Sequence, residues 1–261
     1  MGQLQSHGSK GKPDALEQGG KTGRLVLAKK KLKSIPAQVW LIGPKLKSLD
    51  VSNNQIKELT SQIGALPKLQ NLVLSHNQLE ELPEELYHLN ELKVLLADHN
   101  KLKIVAAFLP RTKLRTLDLS YNEFSGIVGH PYLALPPCCT VANLSYNKIQ
   151  GFADSFGWEL LTALEELDLD NNQILALPPQ IGCLTKLSCL KLRNNNLTTL
   201  PPTLFTDTSV NRIHLEGNPV KLSLLRTLPG FDKFLDRRKE RISKGISQGL
   251  HTDHSVCGLT E

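Results

Sequence analysis

The chain has 261 residues, 50 of which are leucine, and a formal net charge of +6. The charge is uneven: residues 1–45 carry a net +7, residues 46–220 a net −4 and residues 221–249 a net +5. Because the centre is mildly acidic, it lacks the positive field that phosphate backbones require, which excludes a uniformly basic nucleic-acid-binding protein.

The first 21 residues are polar and basic, and they contain no apolar stretch of the kind found in a secretory signal. We expect residues 1–21 to form a disordered arm. Gly2 opens a short N-myristoylation pattern, with Ser6 at the position that takes Ser or Thr. One acyl chain binds membranes only marginally, so an anionic membrane partner would need a second, basic signal. The candidates are Lys10, Lys12, Lys21, Lys29, Lys30, Lys31 and Lys33. The alternative is a solvated arm beside a cap.

A repeated pattern, L-x-x-L-x-L-x-x-N-x-L/I, organises residues 22–220. Nine units begin at Thr22, Leu46, Leu69, Leu92, Leu114, Cys139, Leu164, Leu187 and Val210. Successive starts lie 22 to 25 residues apart. Leucines at positions four and six point to one face of a short strand, and strands of successive units should stack in parallel. One unit cannot bury its own leucines, so stability must come from stacking.

The ninth position is Asn in eight of the nine units. Because an amide both donates and accepts hydrogen bonds, it can satisfy the backbone groups that a tight turn leaves unpaired. We therefore predict a buried ladder formed by Asn54, Asn77, Asn100, Asn122, Asn147, Asn172, Asn195 and Asn218. The first unit has Lys30 instead, which a solvent-facing end tolerates.

The second half of each unit should form the outer side of the curve, with short helical or irregular segments. Gly and Pro are frequent in residues 125–139, which predicts longer convex loops there, and the chain becomes more helical from Trp158. Residues 221–244 have helical apolar spacing and should cap the last strand, because terminal units must cover an open edge. We expect residues 245–261 to form a disordered tail.

The repeat pattern resembles the intracellular form of the leucine-rich repeat superfamily. The resemblance implies an α/β solenoid, a horseshoe with a parallel concave β-sheet. It also implies a cytoplasmic protein that binds other proteins, with no catalytic residue and no cofactor. Five cysteines without framework spacing agree with a reducing compartment.

The residues between the core leucines should line the inner curve. Their centre combines aromatic, apolar and acidic groups, a composition that suits protein recognition. The candidate protein-binding residues are Val73, His76, Val94, Leu96, Asp98, His99, Asp118, Tyr121, Tyr146, Asp168 and Asp170. Some of them could simply be tolerated exposed groups.

His76, Asp98 and His99 also suggest a metal site, but no further ligand follows them in the repeat register, so we predict none. The sequence favours a non-enzymatic scaffold or adaptor for a protein partner, over a nucleic-acid binder. The second hypothesis is a regulatory subunit in a phosphatase or small-GTPase pathway. An enzyme is the third, and no residues fit acid/base or nucleophile roles.

Overall fold

Nine parallel strands, one from each repeat unit, form a single sheet. The computed structural model describes residues 15–105, 112–129, 133, 135–247 and 257–259. The strands are β1 (Arg24–Val26), β2 (Ser48–Asp50), β3 (Asn71–Val73), β4 (Val94–Leu96), β5 (Thr116–Asp118), β7 (Val141–Asn143), β9 (Glu166–Asp168), β10 (Cys189–Lys191) and β11 (Arg212–His214). They pair in chain order, so the predicted repeat solenoid with a parallel sheet is confirmed.

The strands pair without slippage, so equivalent repeat positions lie side by side. Leu49 faces Leu72, which faces Leu95, and this register continues through the sheet. The middle residue of each strand is apolar and buried against the neighbouring units: it is Leu in seven strands, Ala142 in β7 and Ile213 in β11, and Leu72 shows 0% exposure. The side chains on either side of it point away from this core and line the other face of the sheet.

Short helical turns connect the strands on the outer side. The α-helices there are α2 (Gln38–Ile42) and α3 (Thr203–Thr206). The 3-10 turns are Gly43–Lys45, Ser61–Ala65, Glu84–His88, Asp154–Phe156, Trp158–Leu160 and Pro179–Cys183. Five of these turns bury apolar side chains, such as Ile63 and Leu86, and the turn Gly43–Lys45 buries Gly43.

The asparagine side chains bridge successive units in the way a ladder requires. Asn122 accepts a hydrogen bond from the Leu102 amide at 2.9 Å and donates to the carbonyls of Ala97 and Leu119, both at 3.0 Å. The same three links recur in the other seven units that carry Asn. Asn54 accepts from both Lys30 and Leu32 amides, so it also serves the first unit, which lacks its own Asn.

The irregular middle contains a second sheet where the sequence predicts only longer loops. Strands β6 (Ser125–Val128) and β8 (Lys148–Phe152) pair in parallel outside the main sheet. Extended backbone is favoured here by β-branched side chains, and Val128 and Ile149 are buried. Phe152, at the end of β8, packs with Phe156 and Trp158, with ring centroids 4.7 to 4.9 Å apart.

The N-terminal end is capped by a helix that the sequence analysis assigns to the disordered arm. Helix α1 (Ala15–Thr22) begins well before residue 21 and places Gly19 against Leu25 of β1. A side chain at residue 19 would crowd Leu25, so the glycine permits this close approach. Residues 1–14, which include Gly2, Lys10 and Lys12, lie outside the described residues.

The C-terminal cap comprises two helices, α4 (Leu222–Leu225) and α5 (Phe231–Ser247). They are separated at Pro229 and Gly230, because Gly230 adopts a φ of 81° and lies against Thr206. Phe231 and Phe234 pack on Phe205 of the last complete unit. Helix α5 therefore runs past residue 244, the predicted end of the cap.

Part of the segment predicted as a tail contacts the last strand. Cys257 is 1% exposed, and its carbonyl accepts a hydrogen bond of 2.9 Å from the Leu215 amide beside the last strand. An edge strand presents unpaired amides, and this contact satisfies one of them. Residues 248–256 lie outside the described part of the chain.

Candidate functional site

The exposed face of the nine-stranded sheet carries a central apolar patch, formed by Val73, Val94 and Leu96. Val73 pairs with Leu96 in adjacent strands, and Val94 lies two residues before Leu96 on the same face. All three are half-buried although they point away from the leucine core. The patch therefore offers apolar contact area on a rigid sheet.

Beside the patch lies an aromatic column, formed by His76, His99, Tyr121 and Tyr146. These residues occupy position eight of four consecutive units, immediately before the ladder asparagine. The stacked rings are separated by 4.0 Å (His76 to His99), 4.1 Å (His99 to Tyr121) and 4.0 Å (Tyr121 to Tyr146) between centroids. Tyr121 and Tyr146 remain 41% and 45% exposed.

Position eight has a left-handed backbone throughout the array. The φ angles of the aromatic column lie between 52° and 55°, and those of Asn53, Asn171 and Asn194 between 52° and 56°. This conformation costs a non-glycine residue roughly 1–2 kcal/mol, which the hydrogen bonds of the adjacent ladder must offset. The repeated turn aligns the side chains of successive units, and this alignment allows the rings to stack.

The carboxylates at position five form local caps. Asp118 Oδ1 accepts hydrogen bonds from the Ser120 amide at 2.9 Å and from the Ser120 hydroxyl at 2.7 Å. Asn143 makes the same two bonds to Ser145, at 3.0 and 2.7 Å. Asp50 likewise accepts from the Ser52 amide at 2.9 Å. Where position five carries Asp or Asn, its side-chain oxygen therefore accepts hydrogen bonds from the residue two positions later.

Asp98 connects the column to the sheet surface. Its carboxylate accepts a hydrogen bond from the Ser75 hydroxyl and lies 2.9 Å from His99 Nδ1. The carboxylate therefore fixes the ring orientation of His99 within the stack. Asp98 is half-buried, as are Asp118 and Asp168.

Asp168 and Asp170 belong to an ion-pair network that the sequence analysis does not foresee. Lys191 Nζ lies 2.7 Å from Glu166 Oε1 and 3.1 Å from Asp168 Oδ2. Burial opposes the charge of Lys191, but its hydrogen bonds to both carboxylates prevail and raise its pKa. The signal was present in the sequence, because Lys191 occupies position five one unit after Asp168.

Arg193 completes this network. Its guanidinium lies 3.4 Å from Asp170 Oδ2 and 3.1 Å from Glu216 Oε2, and it contacts His214 Nδ1 at 2.7 Å. Asp170 is only 9% exposed, and burial raises the pKa of its carboxyl despite the Arg193 contacts. Asp170 therefore holds Arg193 in place and offers little surface of its own.

His76, Asp98 and His99 have their ligand atoms within 4.8 Å of one another, which makes them the one metal-ligand group among the described residues. The two imidazole planes are only 26° apart and stacked. Ring nitrogens of parallel rings point in similar directions, whereas ligands of a tetrahedral ion must converge. The arrangement fits a packed column better than a metal site.

Basic residues concentrate at the first unit. Lys29, Lys30, Lys31 and Lys33 are all exposed. Within the described residues, no helix has both the length and the apolar character needed to cross a membrane.

Comparison with protein families gives a match over most of the array. A family model described as "Leucine rich repeat" matches residues 24–79, 44–102 and 162–220, and a related one matches residues 113–131. Comparison with curated proteins gives no match.

Several solved structures are similar to this chain. The leucine-rich repeat domain of APL1B is 26% identical, with a TM-score of 0.65 over 79% of this chain and 60% of that one. The ectodomain of the receptor kinase GASSHO1/SCHENGEN3 from Arabidopsis thaliana, in complex with CASPARIAN STRIP INTEGRITY FACTOR 2, is 26% identical, with a TM-score of 0.54 over 79% of this chain and 28% of that one. A chain of the Drosophila Toll–Spatzle complex, 22% identical, shares the fold with a TM-score of 0.65 over 76% of this chain and 27% of its own length. The chain thus spans only part of each.

Proposed function

Because the chain belongs to the leucine-rich repeat family, we propose that it is a non-enzymatic scaffold or adaptor that binds a protein partner on the exposed face of its nine-stranded sheet. Proteins of this family generally mediate protein–protein interaction. The GASSHO1/SCHENGEN3 ectodomain, which is 26% identical to this chain, was solved in complex with CASPARIAN STRIP INTEGRITY FACTOR 2.

One observation carries the proposal: the apolar patch and the aromatic column lie side by side on one rigid face. Leu96 neighbours Val73 in the sheet, and the column runs through the same units, from His76 to Tyr146. Tyrosine and large apolar groups dominate the energetics of protein interfaces when they can be desolvated together. The backbone beneath is fixed by the asparagine ladder, so little ordering entropy is lost on binding.

The test is affinity purification with a triple variant, Leu96→Ala, Tyr121→Ala and Tyr146→Ala. The matched control, Ile127→Ala, Leu160→Ala and Leu175→Ala, removes three exposed apolar side chains outside the nine-stranded sheet. We expect the first variant to lose the partner and the second to keep it, with circular dichroism showing that both are folded. Equal recovery with both variants contradicts the proposal.

The same purification distinguishes the alternative function. Recovery of a phosphatase or a small GTPase with the wild-type chain and the control variant would assign the protein as a regulatory subunit of such a pathway. The residues at the ends of the array, Lys21 to Gly23 and Gly230 to Lys233, resemble leucine-rich repeat-containing protein 57.

We place the protein in the cytoplasm, at the surface of an anionic membrane. The exposed lysines of the first unit support this, because each basic side chain near an anionic leaflet contributes about 1 kcal/mol. Myristate on Gly2 would add the apolar anchor. Flotation with phosphatidylserine vesicles tests it: a variant with Lys29, Lys30, Lys31 and Lys33 changed to Gln should stay in the soluble fraction, whereas co-flotation of that variant would contradict a basic contact.

A further inference from the structure

The exposed face of the sheet is divided by charge compensation. In units seven to nine, acidic side chains are neutralised by Lys191 and Arg193, as in the contact of 3.1 Å between Lys191 and Asp168. In units two and five, Asp50 and Asp118 occupy the same position as Asp168, yet within the described residues neither carboxylate has a cationic partner. Asp50 and Asp118 are therefore negative charges that no cationic side chain of the described residues neutralises.

The caps leave part of each carboxylate available. The Ser120 and Ser52 bonds use only the Oδ1 atoms, and Asp118 Oδ2 accepts a further bond of 3.2 Å from the Asn143 amide. Both residues are half-buried on the sheet, where the local dielectric is lower than in water and an incoming cation is attracted more strongly. In the sheet register, Arg24 and Lys29 are the cations nearest to Asp50, because Arg24 pairs with Ser48 and the Lys29 amide donates to the Ser52 carbonyl. Both are exposed, and among the described residues neither forms an ion pair with Asp50. Lys47, Lys93 and Arg115 stand at the starts of the strands.

The aromatic column restricts how a cation can bind. Rings about 4 Å apart leave no room for a guanidinium between them, so a cation cannot stack on the faces that neighbouring rings of the column share. The ring edges and the tyrosine hydroxyls stay accessible, and a hydroxyl can accept a hydrogen bond from Lys or Arg. Carboxylates at position five and hydroxyls at position eight thus favour the same class of side chain.

The distance between the two carboxylates determines how many residues should separate the two cationic side chains of a bound peptide. Asp50 and Asp118 lie in β2 and β5, three strand intervals apart, which corresponds to about 14 Å at ~4.8 Å per interval. An extended peptide that crosses the strands covers this distance in roughly four residues. Between the carboxylates lie Val73 and Leu96, at the same position of β3 and β4.

We propose that this face binds an extended basic segment, with Lys or Arg at positions i and i+4 on Asp50 and Asp118 and an apolar side chain at i+2 on Val73 and Leu96. This rests on the proposed function, because it specifies the chemistry of the partner at the same surface. Attraction between the carboxylates and the two cations sets the register of the segment, and the apolar contact supplies the desolvated centre of the interface.

The chain offers a nearly isosteric way to remove these charges. Asn143 makes the same cap as Asp118, so Asp118→Asn and Asp50→Asn should preserve the backbone and remove only the charge. Asp168→Asn is the matched control, since it removes one negative charge at the same strand position but where Lys191 already compensates it.

In the experiment, a phage-displayed library of random dodecapeptides is selected for binding to the full chain. The affinity of each recovered peptide is then measured by fluorescence anisotropy. We expect recovered sequences enriched in Lys or Arg four residues apart, affinity about tenfold weaker for the Asp50→Asn/Asp118→Asn variant, and nearly unchanged affinity for Asp168→Asn. Binding should also weaken with added salt.

Two other outcomes separate the two proposals. Peptides that need Leu96 and Tyr121 but show no basic spacing, or that bind the double Asn variant equally well, would overturn the charge pattern and leave the protein-binding surface standing. Recovery of no peptide that depends on Leu96 and Tyr121 would count against both.

Discussion

The rings of Tyr121 and Tyr146 lie parallel, with centroids 4.0 Å apart and planes 9° apart, although they are 25 residues apart in the chain. The repeat brings them together, because both residues stand immediately before a ladder asparagine in a turn with positive φ. The ring stack on this surface is thus a direct consequence of the backbone turn.

The contact between the two tyrosines should be measurable by titration. A hydrogen bond with Tyr146, followed by desolvation, raises the pKa of Tyr121 above 10.0, its ordinary value. Because the folded pKa lies above the unfolded one, this contribution to stability is present below the unfolded pKa and is lost as pH rises through the folded one. In Tyr146→Phe the pKa of Tyr121, followed by NMR of the labelled ring, should fall toward 10. An unchanged pKa would rule out this contact.

The asparagine ladder gives the sharpest stability prediction, because unit eight has adjacent asparagines in different environments. Asn195 is 4% exposed and bridges Ile174, Leu169 and Leu192, whereas Asn196 is exposed. Asn195→Ala leaves a buried amide and buried carbonyls without partners and should lower the free energy of unfolding by about 2–4 kcal/mol. Asn196→Ala should change it by less than about 0.5 kcal/mol. Urea unfolding measures both, and equal losses would show that the ladder contributes nothing specific.

The thiols report on the C-terminal contact. Burial raises the pKa of Cys139 and of Cys257 to about 12, so both should stay protonated and unreactive at neutral pH. Cys183 is only half-buried. Limited alkylation with iodoacetamide, read by peptide mass spectrometry, should label Cys183 first and leave Cys139 and Cys257 protected. Early labelling of Cys257 would show that the segment beside β11 is detached in solution.

The ion-pair network predicts a gain of binding. Lys191→Gln removes the countercharge of Glu166 and Asp168 and should extend the uncompensated acidic surface, which strengthens binding of the selected basic peptides about threefold. Lys186→Gln, a change at an exposed lysine outside the network, controls for net charge. Equal affinities for the two variants would show that the binding responds to net charge alone.

The sequence predicts the features that depend on the repeat period. The unit boundaries, the parallel pairing and the alignment of Tyr121 with Tyr146 all follow from spacing, because spacing fixes the register of stacked strands. The second sheet, β6 with β8, does not follow, since its strands lie in the variable half of the units, where neighbouring loops decide the backbone.

The ends and the charge network were also missed, for a related reason. Helix α1 and the contact of Cys257 depend on what covers an open sheet edge, which no periodic signal encodes. The pairing of Lys191 with Asp168 depends on charges in neighbouring columns, which become visible only when the units are compared position by position.

The central claim is that the exposed face of the nine-stranded sheet binds a partner through the aromatic column and the apolar patch. Photo-crosslinking tests it most directly, with benzoylphenylalanine placed at Tyr121 in one variant and at Leu175, exposed outside this sheet, in another. We predict a crosslinked partner peptide from position 121 that contains spaced basic residues, and none from position 175. Crosslinking of the same partner from position 175 but not from position 121 would contradict the account.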